Sequence, residues 1–257
     1  MTRTATFWVY LVFGFMYLPI AMILLFSVNA SDVMAFPIQG VTFAWYGDIL
    51  SDARLGGGFL TTLFIAFPVA LLTTLFGAAA ALALAFYPTR WRGLFAAVLL
   101  LPFLVPRLIL AVAQLILFKE MDIDRSLWTV IAGQSIIILP FSTLIIASVL
   151  VRLDRRLIEA AADLGATGWS SFRRVVLPLI GNGLLASWVI AFVLSSSEYV
   201  LTAFLSGREQ PLSVLVASDF RFNLSPSLNA LAVLIVFGNI ALVCFAEAIR
   251  RRSGSKA

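Results

Sequence analysis

Two charged residues stand in apolar surroundings, where a charge has to be used or neutralised. Arg107 follows Pro106 in Leu101-Pro102-Phe103-Leu104-Val105-Pro106-Arg107, and Glu198 lies among Ser195, Ser196, Ser197 and Tyr199. An arginine at bilayer depth costs about 2.5–3.5 kcal/mol on insertion scales, so it faces a partner charge or a watery cavity. The residues admit two readings. Arg107 and Glu198 pair, or Arg107 snorkels outward, with a structural effect only. Alternatively Arg107, Ser196, Ser197, Glu198 and Tyr199 line a path for a polar solute. Catalytic residues are not expected, because the chain has no histidine and Cys244 is its one cysteine. That removes histidine acid–base chemistry, Ser-His triads, imidazole ligation and cysteine clusters, so no metal site is expected either.

A second constellation is Leu153-Asp154-Arg155-Arg156-Leu157-Ile158-Glu159-Ala160-Ala161-Ala162-Asp163-Leu164-Gly165, continuing through Ala166-Thr167-Gly168-Trp169 and Phe172 to Leu177-Pro178. Asp154 suits an N-cap, and Gly165 suits a left-handed helix end. Leu157, Ala160, Ala161 and Leu164 recur at helical spacing and form one stripe. A second short helix fits Gly168–Val176, capped by Thr167, with Trp169, Phe172 and Val176 on one side and Pro178 closing it. Small alanines permit close approach of another surface, and the aromatic knobs suit a pocket. The same helix–turn–helix could rest on lipid headgroups instead.

These residues must be positioned by membrane-spanning helices. The chain has 257 residues, 61% hydrophobic and 12% charged, about half the charge of a soluble domain. Its mean hydropathy is +1.03. Helical spans of about 20 apolar residues fit near Phe7–Val28, Phe59–Phe86, Leu94–Phe118, Leu127–Val151, Leu179–Leu205 and Leu228–Ile249. Continuous Leu- and Ala-rich runs argue against a β-barrel, which needs short alternating segments. The first run is longer than a signal-peptide core and reads as a retained helix. Prolines 19, 68, 102, 106 and 140 read as ordinary kinks. Between the first two spans, Phe43, Tyr46 and Leu50 share a helical face suited to the membrane interface, and Gly56-Gly57-Gly58 frees the chain before the second span.

With both termini in the cytoplasm, twelve of the eighteen Lys and Arg fall on the inner side and five on the outer, with Arg107 left in a span. That satisfies the positive-inside rule. The net charge of +5 is therefore topological and supports no nucleic-acid partner. Gln114 and Gln134 suit interhelical hydrogen bonds, and Gly77 suits close helix packing.

Glu159-Ala160-Ala161, Gly165 and Leu177-Pro178 resemble the EAA loop of the membrane subunits of binding-protein-dependent ABC importers. The whole chain is most similar to the second permease subunit of spermidine/putrescine-type importers. The likeness rests on Tyr17-Leu18-Pro19-Ile20, Phe26-Ser27-Val28-Asn29, Trp45-Tyr46, Leu153-Asp154, Leu157 to Gly165, Ser196 to Val200, Leu224-Ser225-Pro226 and Asn229-Ala230-Leu231-Ala232. The resemblance implies an all-α membrane protein of the type I ABC importer (MetI-like) fold, a single permease domain over residues 1–257 in a bacterial inner membrane. It implies that Glu159, Ala160, Ala161, Asp163, Gly165, Ala166, Trp169, Phe172 and Pro178 couple the chain to an ATPase. The implied partners are a second permease subunit, a pair of ABC ATPases, a periplasmic substrate-binding protein and membrane lipid. No cofactor is expected on this chain: it has no G-x-x-x-x-G-K-[ST], so ATP and Mg belong to the ATPase.

Where polyamine-type permeases tend to carry acidic residues, this chain has Arg107 and Ser197. A cargo with an anionic group, such as an amino-phosphonate or an opine, is then as well suited as a polyamine. An ion-coupled secondary transporter acting alone is the alternative. It calls for mid-membrane carboxylates and internal repeats, for which Glu198 is a candidate and no repeat is evident. A membrane-embedded enzyme is disfavoured by the missing histidine and the lack of paired intramembrane carboxylates.

Overall fold

Apolar runs with no outside partner for their backbone amides must satisfy them internally, and helices do so. A computed structural model of the chain describes residues 3–32, 34–87, 90–222 and 225–254. Leu224 of the Leu224-Ser225-Pro226 segment, and Lys256, one of the twelve inner-side basic residues, lie outside the described residues. The helices are α1 (Arg3–Ser27), α2 (Ala44–Ser51), α3 (Ala53–Phe86), α4 (Arg92–Leu104), α5 (Arg107–Glu120) and α6 (Leu127–Leu150). They continue as α7 (Arg156–Asp163), α8 (Gly168–Ser171), a π-helical turn at Phe172–Val176, α9 (Leu177–Ser196), α10 (Val200–Leu205), α11 (Leu212–Phe222) and α12 (Pro226–Gly254). Among the described residues, five helices are long and apolar enough to cross a bilayer alone, and α4 with α5 makes a sixth crossing if that bent pair is one span.

The third span departs from a continuous helix. α4 and α5 meet at 105°. Pro106 forces Val105 into an extended conformation (φ −96°, ψ 129°) and supplies no amide to carry the helix onward. At about 1.5 Å per residue, the 13 residues of α4 and 14 of α5 each fall short of a bilayer. The fifth span also breaks, between Ser196 and Val200.

Three smaller expectations change as well. Gly56-Gly57-Gly58 does not free the chain but lies inside α3. Asp52 starts that helix earlier, its Oδ1 accepting the amides of Arg54 (2.8 Å) and Leu55 (3.3 Å). Pro178 does not close a separate helix, because α8, the π turn and α9 run on as one rod over Gly168–Ser196. Finally, α11 occupies the stretch between the fifth and sixth spans, which was not anticipated.

The backbone divides into two compact units: Met1–Phe59 with Leu215–Ala241, and Leu60–Val214 with Leu242–Ala257. In the first unit, α2 is moored to the end of α1. The Trp45 indole donates to the Asn29 carbonyl at 2.8 Å, and the Tyr46 and Ser27 hydroxyls share a hydrogen bond. Arg54 grips Asp219 through two bonds of 3.0 and 2.7 Å. In the second unit, α6 packs against α9, α4 and α10. Ile65, Val69, Ala111, Val130, Leu201 and Leu205 form its principal core. Gly77 lets α3 approach α6 closely, since a Cβ there would stand 2.8 Å from the Ser142 Cβ.

Candidate functional site

The loop between α6 and α9 is built by local capping. Asp154 Oδ1 accepts the Arg156 amide at 3.0 Å and starts α7. At the other end, Ala166 N–H reaches the Ala161 carbonyl (3.0 Å) and Gly165 N–H the Ala162 carbonyl (2.9 Å). This pair of bonds is the Schellman motif, and it needs a left-handed residue, which Gly165 provides at φ +82°. Thr167 Oγ1 accepts the Ser170 amide and starts α8. Pro178 has no N–H for the Arg174 carbonyl four residues back. The widened π turn absorbs that mismatch, with Leu177 N–H bonded to the Phe172 carbonyl.

Packing sorts this loop into two faces. Leu153, Ile158 and Phe172 settle onto a core of Ala81, Ile146, Leu150, Val176 and Ile180. Glu159, Ala160, Asp163 and Pro178 are exposed, and Ala161 and Ala166 are half-buried. Leu157, Leu164 and Trp169 stand 49%, 89% and 70% exposed, far more than apolar side chains keep without something to cover them. Trp169 stacks on Phe172 at 5.6 Å. Arg155 donates to the Ala85 carbonyl at 2.9 Å, fastening the loop to the C-terminal end of α3, a favourable place for a cation.

The polar residues suggested for a solute path separate. Ser196 and Ser197 turn their hydroxyls back onto the Val193 carbonyl, at 3.0 and 2.9 Å. Tyr199 is half-buried. None of the three lines the cavity that holds Arg107 and Glu198. That cavity has a volume of about 190 Å3, with walls that include Phe103, Phe141 and Leu194. Arg107 is exposed at the first position of α5. Glu198 is only 3% exposed, in the break between α9 and α10. Direct pairing is not realised: no ion pair within 4 Å joins Arg107 to Glu198, in contrast to Arg54, which pairs with Asp52 and Asp219.

The break is pinned by a buried network. The Gln134 amide donates to Thr202 Oγ1 at 2.8 Å, and its oxygen accepts from Ser195 Oγ. Thr202 Oγ1 donates to the Glu198 carbonyl at 2.7 Å, and Ser213 Oγ donates to the same carbonyl at 2.9 Å. Gln134 thus makes the interhelical bonds expected of it. Gln114 differs, since its Oε1 is buried without a hydrogen-bond partner. Thr202 and Ser213 were not singled out from sequence. The signal for Thr202 was its place four residues after Glu198, while Ser213 offered none.

The chain matches the family described as the binding-protein-dependent transport system inner membrane component over residues 74–254. It is 29% identical to the spermidine/putrescine transport system permease protein PotC of Haemophilus influenzae, over 95% of both chains. It is 32% identical to the putrescine transport system permease protein PotI of Escherichia coli K12, over 91% of this chain and 85% of that one. Its fold is similar to a chain of the bacterial alginate ABC transporter solved in complex with an alginate pentasaccharide-bound periplasmic protein. That likeness has a TM-score of 0.77 and 14% identity, over 97% and 93% of the two chains. The expected all-α, MetI-like fold and the importer resemblance hold, and the alternative of a transporter acting alone falls away. By family the chain is a permease rather than an enzyme, a multi-pass protein of the bacterial inner membrane. The chain belongs to the binding-protein-dependent transport system inner membrane components, as the permease subunit of an ABC importer.

Proposed function

We propose that residues 1–257 act as one permease domain forming half of a translocation path, with both termini in the cytoplasm and the α7–α8 loop docked on an ABC ATPase. The carrying observation is that Leu157, Leu164 and Trp169 stand uncovered on a loop whose second helix, from Gly168, runs on without interruption into α9. α7 packs against α8 and the π turn, so a push on Ala160 and Ala161 is passed through that packing and the turn at Gly165 to the spanning rod. Glu159 and Asp163 flank the docking face with carboxylates, Gly165 and Ala166 hold its turn, and Trp169 is the knob, with the core-packed Phe172 supporting it from behind. Pro178 sits where the rod enters the membrane.

ATP and Mg are bound by the ATPase and not by this chain, which carries no phosphate-binding loop. ATP binding draws the two coupling loops of the assembly together and turns the path outward. A periplasmic binding protein delivers the solute there, and hydrolysis with ADP release turns the path inward. A second permease subunit, identical or different, completes the path, and lipid covers α1 and the outer faces. The cargo is a small polar solute, a polyamine-like amine or an amine carrying an anionic group. The polyamine names of the relatives support the first, and Arg107 supports the second.

The docking is tested by disulfide trapping. In a Cys244→Ser background, Leu164→Cys is expected to cross-link to a co-purifying ATPase subunit bearing a cleft cysteine, and Tyr10→Cys on α1 is not. Equal cross-linking from both positions would refute the docking assignment.

A further inference from the structure

Two helix breaks converge on one cavity. The break between α4 and α5 contributes Val105 and Arg107, and the break after α9 contributes Glu198. Broken helices at membrane depth are tolerated where they line a cavity, and the positive end of a half-helix favours an anion. Here α5 begins at Arg107 behind Pro106, with no side chain capping its first amides. The guanidinium of Arg107 adds a full positive charge at that end. Opposite in sign is Glu198, 3% exposed, whose Oε1 accepts the Leu201 amide at 3.3 Å. Its Oε2 is buried with no hydrogen-bond partner. Such a group costs free energy until something satisfies it. The Phe103 and Phe141 rings, edge-to-face at 4.5 Å, form part of the wall, and aromatic faces attract ammonium groups.

We propose that this cavity binds a small zwitterion. The cationic amine meets Glu198 and the aromatic wall; the carboxylate or phosphonate meets Arg107 and the first amides of α5. The volume of about 190 Å3 has room for roughly six waters, which selects a short-chain solute. A dication would satisfy Glu198 but set its second charge against Arg107. This inference rests on the chain forming part of the translocation path.

The importer, purified through a tag on this chain with its co-purifying subunits, is placed in nanodiscs. Thermal unfolding is followed with γ-aminobutyrate and with putrescine, probes of equal carbon number that differ in one charged end. Millimolar γ-aminobutyrate is expected to raise the Tm, while putrescine gives no shift. Arg107→Gln and Glu198→Gln are each expected to raise the concentration needed by about tenfold or more. Arg107 is exposed, so its variant decides the matter even if Glu198→Gln does not assemble. A shift with putrescine instead, no shift with either probe, or a γ-aminobutyrate shift that survives Arg107→Gln overturns the proposal. ATP-dependent uptake is measured on the same purified importer reconstituted into proteoliposomes. Its persistence leaves the importer assignment standing if the subsite fails, and its absence strikes that assignment instead.

Discussion

The side-chain amide of Gln134, in the first half of α6, donates to Thr202 Oγ1 at 2.8 Å, and Thr202 donates to the carbonyl of Glu198 at 2.7 Å. One glutamine therefore holds the break between α9 and α10 from a neighbouring helix, because Ser195 on the near side bonds to the same carboxamide. Gln134→Leu is similar in size and orphans the Ser195 hydroxyl, while Thr202 keeps its bond to the Glu198 carbonyl and loses only the one it accepts. The expected cost is about 1–3 kcal/mol for unsatisfied buried groups, towards the low end inside a membrane. Uptake by the reconstituted importer should lose maximal rate at saturating solute while basal ATP hydrolysis persists. Unchanged uptake with unchanged Tm would show that the network has no positioning role.

Gly207 and Gly165 both hold a positive φ, +67° and +82°, in different surroundings. A Cβ on Gly207 would stand 2.5 Å from the Arg125 carbonyl oxygen, whereas one on Gly165 meets nothing within 4 Å. Gly165→Ala should cost about 1 kcal/mol for the left-handed backbone alone, and Gly165→Asn less. Gly207→Ala carries the same strain plus a collision with backbone, and should lower the Tm further. Thermal unfolding of the two alanine variants in detergent compares them directly; equal shifts would contradict the close approach at Gly207.

Arg155 ties the α7–α8 loop to α3 through the Ala85 carbonyl. The contact is exposed, so its removal should cost no more than about 1 kcal/mol in stability. The expected consequence is mechanical. Arg155→Ala should lower the solute imported per ATP hydrolysed, with Arg155→Lys recovering part of it. A stoichiometry equal to wild type in the alanine variant would mean that α3 follows the loop by packing alone.

Arg54 and Asp219 form a two-bonded ion pair within the first unit, with half the Arg54 side chain exposed. Exposed pairs contribute about 0–1 kcal/mol, and bidentate geometry puts this one in the upper part of that range. Asp219→Asn should therefore lower the Tm only slightly, and the drop should shrink in high salt. A large, salt-independent loss would point to a role beyond the ion pair.

Much of the fold was legible because bilayer thickness is written into run length. Leu127–Leu150 carries no charge and is mostly apolar, so that helix could be placed within a residue or so. The shape of the α7–α8 loop was legible for a different reason: Asp154, Gly165 and Thr167 act on their own neighbours. Hydropathy, however, is blind to direction. Leu94–Phe118 reads as one span whether or not Val105 and Pro106 turn it through 105°. Gly56-Gly57-Gly58 was misjudged because glycine's freedom was weighed without Asp52 ahead of it. α11 escaped notice because 11 residues are too few for a spanning run. The meeting of Arg107 with Glu198, 91 positions apart in the chain, depends on how α4, α5, α6 and α9 pack, and no local pattern encodes it.

The central claim is that the α7–α8 loop turns ATP hydrolysis into solute movement, and charge placed on its docking face tests that most directly. Ala160 is exposed and Ala161 half-buried on α7, so aspartates fit there without entering a core. Uptake driven by ATP in proteoliposomes is measured for the Ala160→Asp, Ala161→Asp double variant, with its membrane assembly checked alongside. The expected result is uptake at background level from a chain that still inserts. Wild-type uptake by that variant would contradict the coupling assignment.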